Sequence, residues 1–326
     1  MALLTLIEAI NLALHEEMAR DARVVVLGED VGRKGGVFGA TRGLQRDFGE
    51  LRVLDAPLAE VGIAGVAIGA ALAGLRPVAE FQFADYILPA FDQIANEAAT
   101  IAYRSNGAWS CPVVFRAPCG AGVHGGLYHS QSVEAYFAHV PGLKVIVPSN
   151  PADAKGLLKS AIRDDNPVLF FEHKGSYRRD RAEVPAGDAL VPIGQARLDR
   201  AGSTVSVITY GIGVRWARQA AAAVEPEGIS VEILDLRTVQ PIDREAVARS
   251  VQKTSRAVIV HEANKAVGVG AELAAFLAEE LFDSLDAPLA RVAARDCHVP
   301  YAAAQEAAII PNAAQVADAI RRLAAY

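Results

Sequence analysis

Residues 53–81 read Val53-Leu54-Asp55-Ala56-Pro57-Leu58-Ala59-Glu60-Val61-Gly62-Ile63-Ala64-Gly65-Val66-Ala67-Ile68-Gly69-Ala70-Ala71-Leu72-Ala73-Gly74-Leu75-Arg76-Pro77-Val78-Ala79-Glu80-Phe81. This stretch holds a whole folding unit. Val53-Leu54 is extended, Asp55 and Pro57 lead into a helix over Ala59–Ala73, and Pro77–Phe81 is a second strand. Strand, helix and strand in succession build a parallel sheet. The same rhythm continues on both sides. Leu4–Ala19 has helical periodicity, Val24–Leu27 is a short apolar strand, and Asp85–Arg104 is predicted as one long helix. Val113–Ala117, Lys144–Val147 and Val168–Phe171 are continuous apolar runs, which suit strands covered on both faces. Asp153–Arg163 is a helix between two of them.

After His173 the chain turns polar, with Arg178-Arg179-Asp180-Arg181 and Pro185, and a second α/β series follows. Its strands are Val205–Thr209, Ser230–Leu234 and Ala257–Val260, and its helices are Val214–Val224, Arg244–Gln252, Ala271–Phe282 and Ala313–Ala324. The predicted fold class is α/β, with two doubly wound domains on mainly parallel sheets. Residues 1–180 form the first domain, 181–202 a linker and 203–326 the second domain.

Bulk composition narrows the function. The 326 residues are 52% hydrophobic and carry a net charge of -6, without the basic face of a nucleic-acid binder. Cys111, Cys119 and Cys297 fit neither a zinc spacing nor a disulfide framework, which points to a reducing compartment. The N-terminus lacks the basic start and apolar core of a secretion signal. The longest apolar stretch, Val61–Leu75, is too short for a bilayer and is read as a buried helix. The expected location is the bacterial cytoplasm, with a processed mitochondrial matrix protein as the other option.

Three Gly-rich turns imitate nucleotide sites. Gly120-Ala-Gly122-Val-His-Gly125 matches the dinucleotide spacing, but no helix opens on it and no acidic residue ends the next strand. Gly211-Ile-Gly213 and Gly268-Val-Gly270 are tight strand-to-helix turns. Three other clusters carry chemistry. Glu60 falls in the first turn of its helix, where a plain surface carboxylate is the simple reading. Behind it, Gly62, Gly65, Gly69 and Ala73 form a stripe that permits close backbone approach, which suggests partial burial of Glu60. Gln82, Phe83 and Tyr86 follow a strand end, where open α/β sheets place ligands; ordinary core aromatics with Asp85 as a cap are the alternative. His129 lies in a glycine-rich loop between Tyr128 and Ser130, a setting that favours function. His124 and His139 make no metal spacing with it, and no GxSxG elbow is present.

These segments together resemble the β subunits of 2-oxo acid dehydrogenase E1 components, which are transketolase-like thiamine enzymes. The resemblance covers Val25–Val31, Phe81–Tyr86, Tyr128–Ser132, Asp153–Leu158, Asp235–Pro241 and His261–Ala263. It implies a transketolase-like pyrimidine-binding domain followed by a transketolase C-terminal-like domain. It implies that Glu60 activates thiamine diphosphate, that Leu58, Gln82 and Tyr86 surround the aminopyrimidine, and that His129 serves the substrate and the lipoyl arm. It also implies a potassium site of backbone carbonyls at Cys111, Val113, Ala161, Asp164 and Asn166. The Gly-Asp-Gly motif that holds Mg2+ and diphosphate in thiamine enzymes is missing; Gly187-Asp188-Ala189 is not it. An α subunit is therefore expected to bring Mg2+ and the diphosphate side, in an α2β2 heterotetramer that passes the acyl group to a lipoyl acyltransferase E2. Tyr128–His139 and Phe170–Lys174 look closer to branched-chain members than to pyruvate members. A pyruvate or acetoin dehydrogenase β chain is the alternative, and a non-catalytic protein of the same fold would be expected to lack Glu60 or His129.

Overall fold

In the computed structural model all 326 residues, Met1–Tyr326, are described. The chain packs as two compact units, Met1–Cys119 with Tyr136–Ile193, and Gly120–Ala135 with Gly194–Tyr326. Where the sequence suggests an unbroken first domain, residues 120–135 join the second unit.

The first part of the chain runs β1 (Ala2–Thr5), α1 (Leu6–Arg20), β2 (Val24–Gly28), α2 (Leu44–Phe48), β3 (Val53–Asp55), α3 (Glu60–Leu72) and β4 (Arg76–Glu80). It continues through α4 (Ile101–Arg104), β5 (Val114–Cys119), α5 (Glu134–Ala138), β6 (Lys144–Ile146), α6 (Pro151–Arg163), β7 (Val168–His173) and β8 (Arg181–Val184). Six strands of the first unit lie in the order β6-β7-β5-β4-β2-β3, and every pairing among them is parallel. Helices α1 and α6 pack together over one face. Leu6, Ile10, Leu14 and Met18 of α1 meet Leu157, Leu158 and Ile162 of α6 over Val24, Val26, Val114 and Phe170. Both helices start sharply. Thr5 and Glu8 exchange hydrogen bonds in a capping box at α1, and the Asn150 side chain accepts from Asp153 N–H at α6.

Two expectations need correction. The helix predicted over 85–104 is broken into a 3-10 segment Ala84–Ala90, a π-helical turn Gln93–Glu97, a 3-10 turn Ala98–Thr100 and α4. Pro89 lies inside the first piece and cannot donate a backbone hydrogen bond, so a regular α-helix does not form through it. Helix α3 is not buried all round. Ile63, Ala64, Ala67, Ile68 and Ala71 face the core, whereas Val61 and Val66 are 47% and 62% exposed, and Gly62 and Gly69 lie beside them on the open side. A helix this apolar on every side normally has its second face covered; this chain covers only one.

The second part of the chain runs β9 (Arg197–Arg200), β10 (Val205–Thr209), α7 (Gly213–Val224), β11 (Val231–Asp235), β12 (Thr238–Gln240), α8 (Arg244–Thr254) and β13 (Ala257–Asn264). It ends with α9 (Val269–Glu280), β14 (Ala290–Ala294), α10 (Ala303–Ile309) and α11 (Ala313–Ala324). The sheet order is β14-β13-β10-β11-β9, parallel except for β9, which runs antiparallel to β11. Helices α7 and α11 pack side by side, with Ala217, Ala221, Val316 and Ile320 meeting Val205, Val207 and Val260. The stretch predicted as a linker, 181–202, contains β8, which pairs antiparallel with β1, and β9 at the edge of the second sheet. Polar strand residues at sheet edges look like linker in sequence because only one face is covered.

The two remaining Gly-rich turns are explained by packing. A Cβ on Gly270 would lie 2.6 Å from His261 Nε2, and one on Gly213 would lie 2.2 Å from Thr209 Oγ1. These glycines leave room for neighbouring side chains.

Candidate active site

Parallel pairing aligns the ends of β2, β3 and β4. Gly28 sits opposite both Asp55 and Glu80. The residues just past those ends are therefore neighbours along one sheet edge, where open α/β sheets bind ligands. They include Glu29 after β2, Leu58 and Glu60 after β3, and Gln82 after β4. The turn after β3 is tied down: Ala56 N–H donates to Gly28 O at 2.8 Å, and Gly32 N–H donates to Asp55 at 2.6 Å.

Glu60 is the first residue of α3 and is half-buried. No side chain or backbone group of this chain hydrogen-bonds its carboxylate. Burial, then the charges of Asp30 and Glu60, push the Glu29 carboxyl up, so the carboxylates of Glu29 and Glu60 share one electrostatic neighbourhood. Helix α3 packs against the 3-10 segment Ala84–Ala90, which bears Tyr86. Tyr86 and Phe83 meet edge to face, with ring centroids 6.1 Å apart. Gln82 is half-buried, while Leu58 is 72% exposed. An apolar cavity of about 240 Å³ lies against this turn, lined by Leu54, Pro57, Ala59, Gly62, Ile63 and Val66.

Beneath the edge lies a fully buried ionic cluster. Arg116 of β5 donates to Glu80 of β4 at 2.7 Å and grips Glu172 of β7 with two bonds of 2.7 and 2.8 Å. Tyr177 O–H donates to Glu172 at 2.6 Å. Burial pushes the Glu80 carboxyl up against the pull of Arg116, and the Glu172 charge adds to the rise. The cluster connects outward through packed rings. Tyr177 contacts Phe38 with centroids 5.4 Å apart, and Phe38 meets Phe83 edge to face at 5.6 Å. The Lys174 ammonium lies over Phe83, 5.6 Å from its centroid.

His129 belongs to the second unit and ends a 3-10 turn, Gly126–Tyr128. Its backbone N–H donates to Gly126 O at 3.3 Å. A Cβ on Gly125 would stand 2.5 Å from the His129 Cβ, so Gly125 leaves the space that His129 occupies. The turn is tied back to its own unit. Gly120 N–H donates to Gln131 O at 2.9 Å, and the Tyr210 hydroxyl donates to Glu134 at 2.8 Å.

The five residues of the implied potassium site lie in two segments that meet: Cys111 N–H donates to Asp165 O at 3.1 Å, and Val168 N–H donates to Val113 O at 2.9 Å. Burial pushes the Cys111 thiol up to about 12, so it stays neutral. Asp164 O accepts from the Arg76 guanidinium at 3.1 Å, which also bonds Ile162 O. A fixed positive charge on that carbonyl works against a second cation there.

Glu29, Arg116, Glu262 and Glu306 have no role that the sequence pattern alone assigns. Glu29 and Glu262 stand in segments already recognised, next to strand ends. Arg116 and Glu306 carry no local pattern; an Arg in an apolar strand run is the one hint of a buried ion cluster.

Comparison with known proteins agrees with this architecture. Residues 3–180 match the transketolase pyrimidine-binding domain, and residues 194–316 match the transketolase C-terminal domain. The chain is 56% identical to the 2-oxoisovalerate dehydrogenase subunit beta of Bacillus subtilis, with all of both chains covered. It is 46% identical to the pyruvate dehydrogenase E1 component subunit beta of the same organism, over 99% of each chain. It is 48% identical to that subunit of Staphylococcus epidermidis, over 94% of each. A solved split-gene transketolase, an inactive beta4 tetramer, shares the fold with a TM-score of 0.81 and 24% identity, covering 99% of this chain and 98% of that one. No helix is long and apolar enough to cross a membrane. The chain belongs to the transketolase-like family, among the β subunits of 2-oxo acid dehydrogenases.

Proposed function

We propose that this chain is the β half of a branched-chain 2-oxo acid dehydrogenase that works with thiamine diphosphate. The observation that carries the cofactor reading is Glu60: a half-buried carboxylate with no hydrogen-bond partner in its own chain, heading the helix that packs against the turn of Tyr86. The surrounding residue types fit the pyrimidine side of that cofactor. Gln82 supplies an amide, Phe83 and Tyr86 supply ring faces, and Leu58 supplies an exposed apolar side chain. When bound, the cofactor supplies the electron sink that lets a 2-oxo acid lose carbon dioxide. Glu60 would hold or share a proton at the pyrimidine ring, Gln82 and Tyr86 would orient the ring, and His129 would orient or protonate the acyl-bearing intermediate, or the dithiolane, during transfer to a lipoyl E2.

The remainder of the site is assigned to an α partner. No group of three or more His, Cys, Asp or Glu in this chain is arranged to hold a metal ion, and Gly-Asp-Gly is missing from the sequence. We assign Mg2+ and the diphosphate to the α subunit of an α2β2 assembly. The open apolar side of α3, with Val61, Val66 and Leu72, supports a second chain there. The potassium assignment is a finer part of the proposal. If it is right, exchanging potassium for sodium lowers the melting temperature of the complex; an unchanged value would leave the Arg76 guanidinium alone on the Asp164 carbonyl.

The substrate reading rests on the relatives, 56% against 46–48% identity. Co-expression with an E1 α subunit and a panel of 2-oxoisovalerate, 2-oxoisocaproate and pyruvate tests it. The branched acids should give the highest kcat/KM, dependent on added thiamine diphosphate. Preference for pyruvate would move the chain to the pyruvate dehydrogenases, and no turnover of any 2-oxo acid would end the enzyme reading.

A further inference from the structure

Helix α10 has an odd inside. Its sequence is Ala303-Ala304-Gln305-Glu306-Ala307-Ala308-Ile309, and its one buried residue is the charged one, Glu306. A buried carboxylate is costly unless charge and hydrogen bonds offset the loss of water. Both oxygens of Glu306, whose side chain is 5% exposed, are engaged by the 120–132 turn: Oε1 accepts Gly122 N–H at 2.6 Å, and Oε2 pairs with His124 Nδ1. A second carboxylate grips the same turn from β13. Glu262 accepts Ala121 N–H at 3.2 Å and the Ser132 hydroxyl at 3.1 Å. Just before α10, the Tyr301 ring lies so close over Gly126 that a Cβ there would sit 2.4 Å from it.

The turn needs such restraint. Gly120, Gly122, His124 and Gly126 all have positive φ, and for His124 that conformation is unfavourable in itself. Two successive N–H groups, of Ala121 and Gly122, point at two different carboxylates, so the pair fixes both the height and the rotation of the turn. His129 is seven residues beyond Gly122, at the end of the segment they hold.

We propose that Glu306 and Glu262 are positioning residues: they hold the 120–132 turn in the conformation that presents His129, and so govern acyl transfer without touching the reacting atoms. This rests on the assignment of acyl transfer to His129. It is tested on the assembled α-containing complex with Glu306→Ala, Glu306→Gln and His129→Ala. Two reactions are compared: oxidation of the 2-oxo acid by an artificial electron acceptor, and acylation of a lipoyl domain. Amide exchange over 120–132 is followed as well.

In Glu306→Ala, exchange over 120–132 should accelerate and lipoyl acylation should fall roughly ten- to hundredfold. The artificial-acceptor reaction and the KM for thiamine diphosphate should stay within about twofold. Glu306→Gln keeps an acceptor for Gly122 N–H and should recover part of the loss. Unchanged exchange in Glu306→Ala overturns the clamp, whatever His129 does. Faster exchange with unchanged acylation, while His129→Ala loses acylation, also overturns it. If His129→Ala acylates at the wild-type rate, the role of His129 falls, and exchange alone decides whether the clamp exists.

Discussion

At the residue scale, the proposed role of His129 depends on the space that Gly125 leaves beside it. Glu60, Gln82, Tyr86 and His129 stand out in sequence because each follows a predicted strand or loop and differs from its apolar neighbours. What they need around them is not legible. Gly125 reads as one more loop glycine, yet a Cβ there would come within 2.5 Å of the His129 Cβ. Gly125→Ala should therefore displace His129 and cut lipoyl acylation roughly tenfold or more, with the chain still folded by circular dichroism. Wild-type acylation in that variant would separate the position of His129 from function. Likewise Glu80 and Glu172 look like strand-end carboxylates in sequence, but both are buried and share Arg116. Arg116→Met would leave two buried carboxylates without a cation and should destabilise the chain by about 3–5 kcal/mol, measured by urea unfolding. A loss under 1 kcal/mol would mean that the carboxylates take up protons without cost, against the bidentate geometry.

At the element scale, the strands were legible because both faces of a parallel strand are covered and the run is apolar throughout. The 85–104 segment was not, since periodicity reports the apolar face and not the local hydrogen-bond pattern that Pro89 interrupts. Helix α3 is the instructive case. Its composition says buried, and within this chain only one side is. We assign the missing cover on α3 to a second chain. The glycine stripe supports this. A Cβ on Gly69 would meet nothing within 4 Å, and one on Gly65 only Gln93 Oε1 at 3.7 Å. Gly69→Ala should then raise the stability of the isolated β chain by roughly 0.5–1 kcal/mol, the helix-propensity gain. It should also weaken assembly with the α chain, read by size-exclusion chromatography. Intact assembly in that variant would show that close approach at α3 is not needed.

At the scale of the whole molecule, each unit carries its own core, and the second carries a buried histidine. In the second unit His261 stacks on Tyr210, with centroids 6.1 Å apart, and burial lowers its pKa to about 4. The folded chain keeps this ring neutral, while the unfolded chain protonates it near 6.5. Stability from this site is thus full above about pH 6.5 and declines as pH falls towards 4, by about 3 kcal/mol in total. His261→Gln should flatten the fall in melting temperature between pH 6.5 and 4.5; an unchanged slope would assign that fall to other groups. The domain pair and its order were legible in sequence, but the route of residues 120–135 into the second unit was not, because long-range contacts with Glu262 and Glu306 have no local signature. We propose that Glu60, at the head of α3, activates a thiamine cofactor whose other end an α chain holds. Its most direct test is the exchange rate of the cofactor's C2 proton in the assembled complex, wild type against Glu60→Gln. Substitution should slow exchange roughly 10²–10⁴-fold. Equal exchange rates in the two complexes would contradict it.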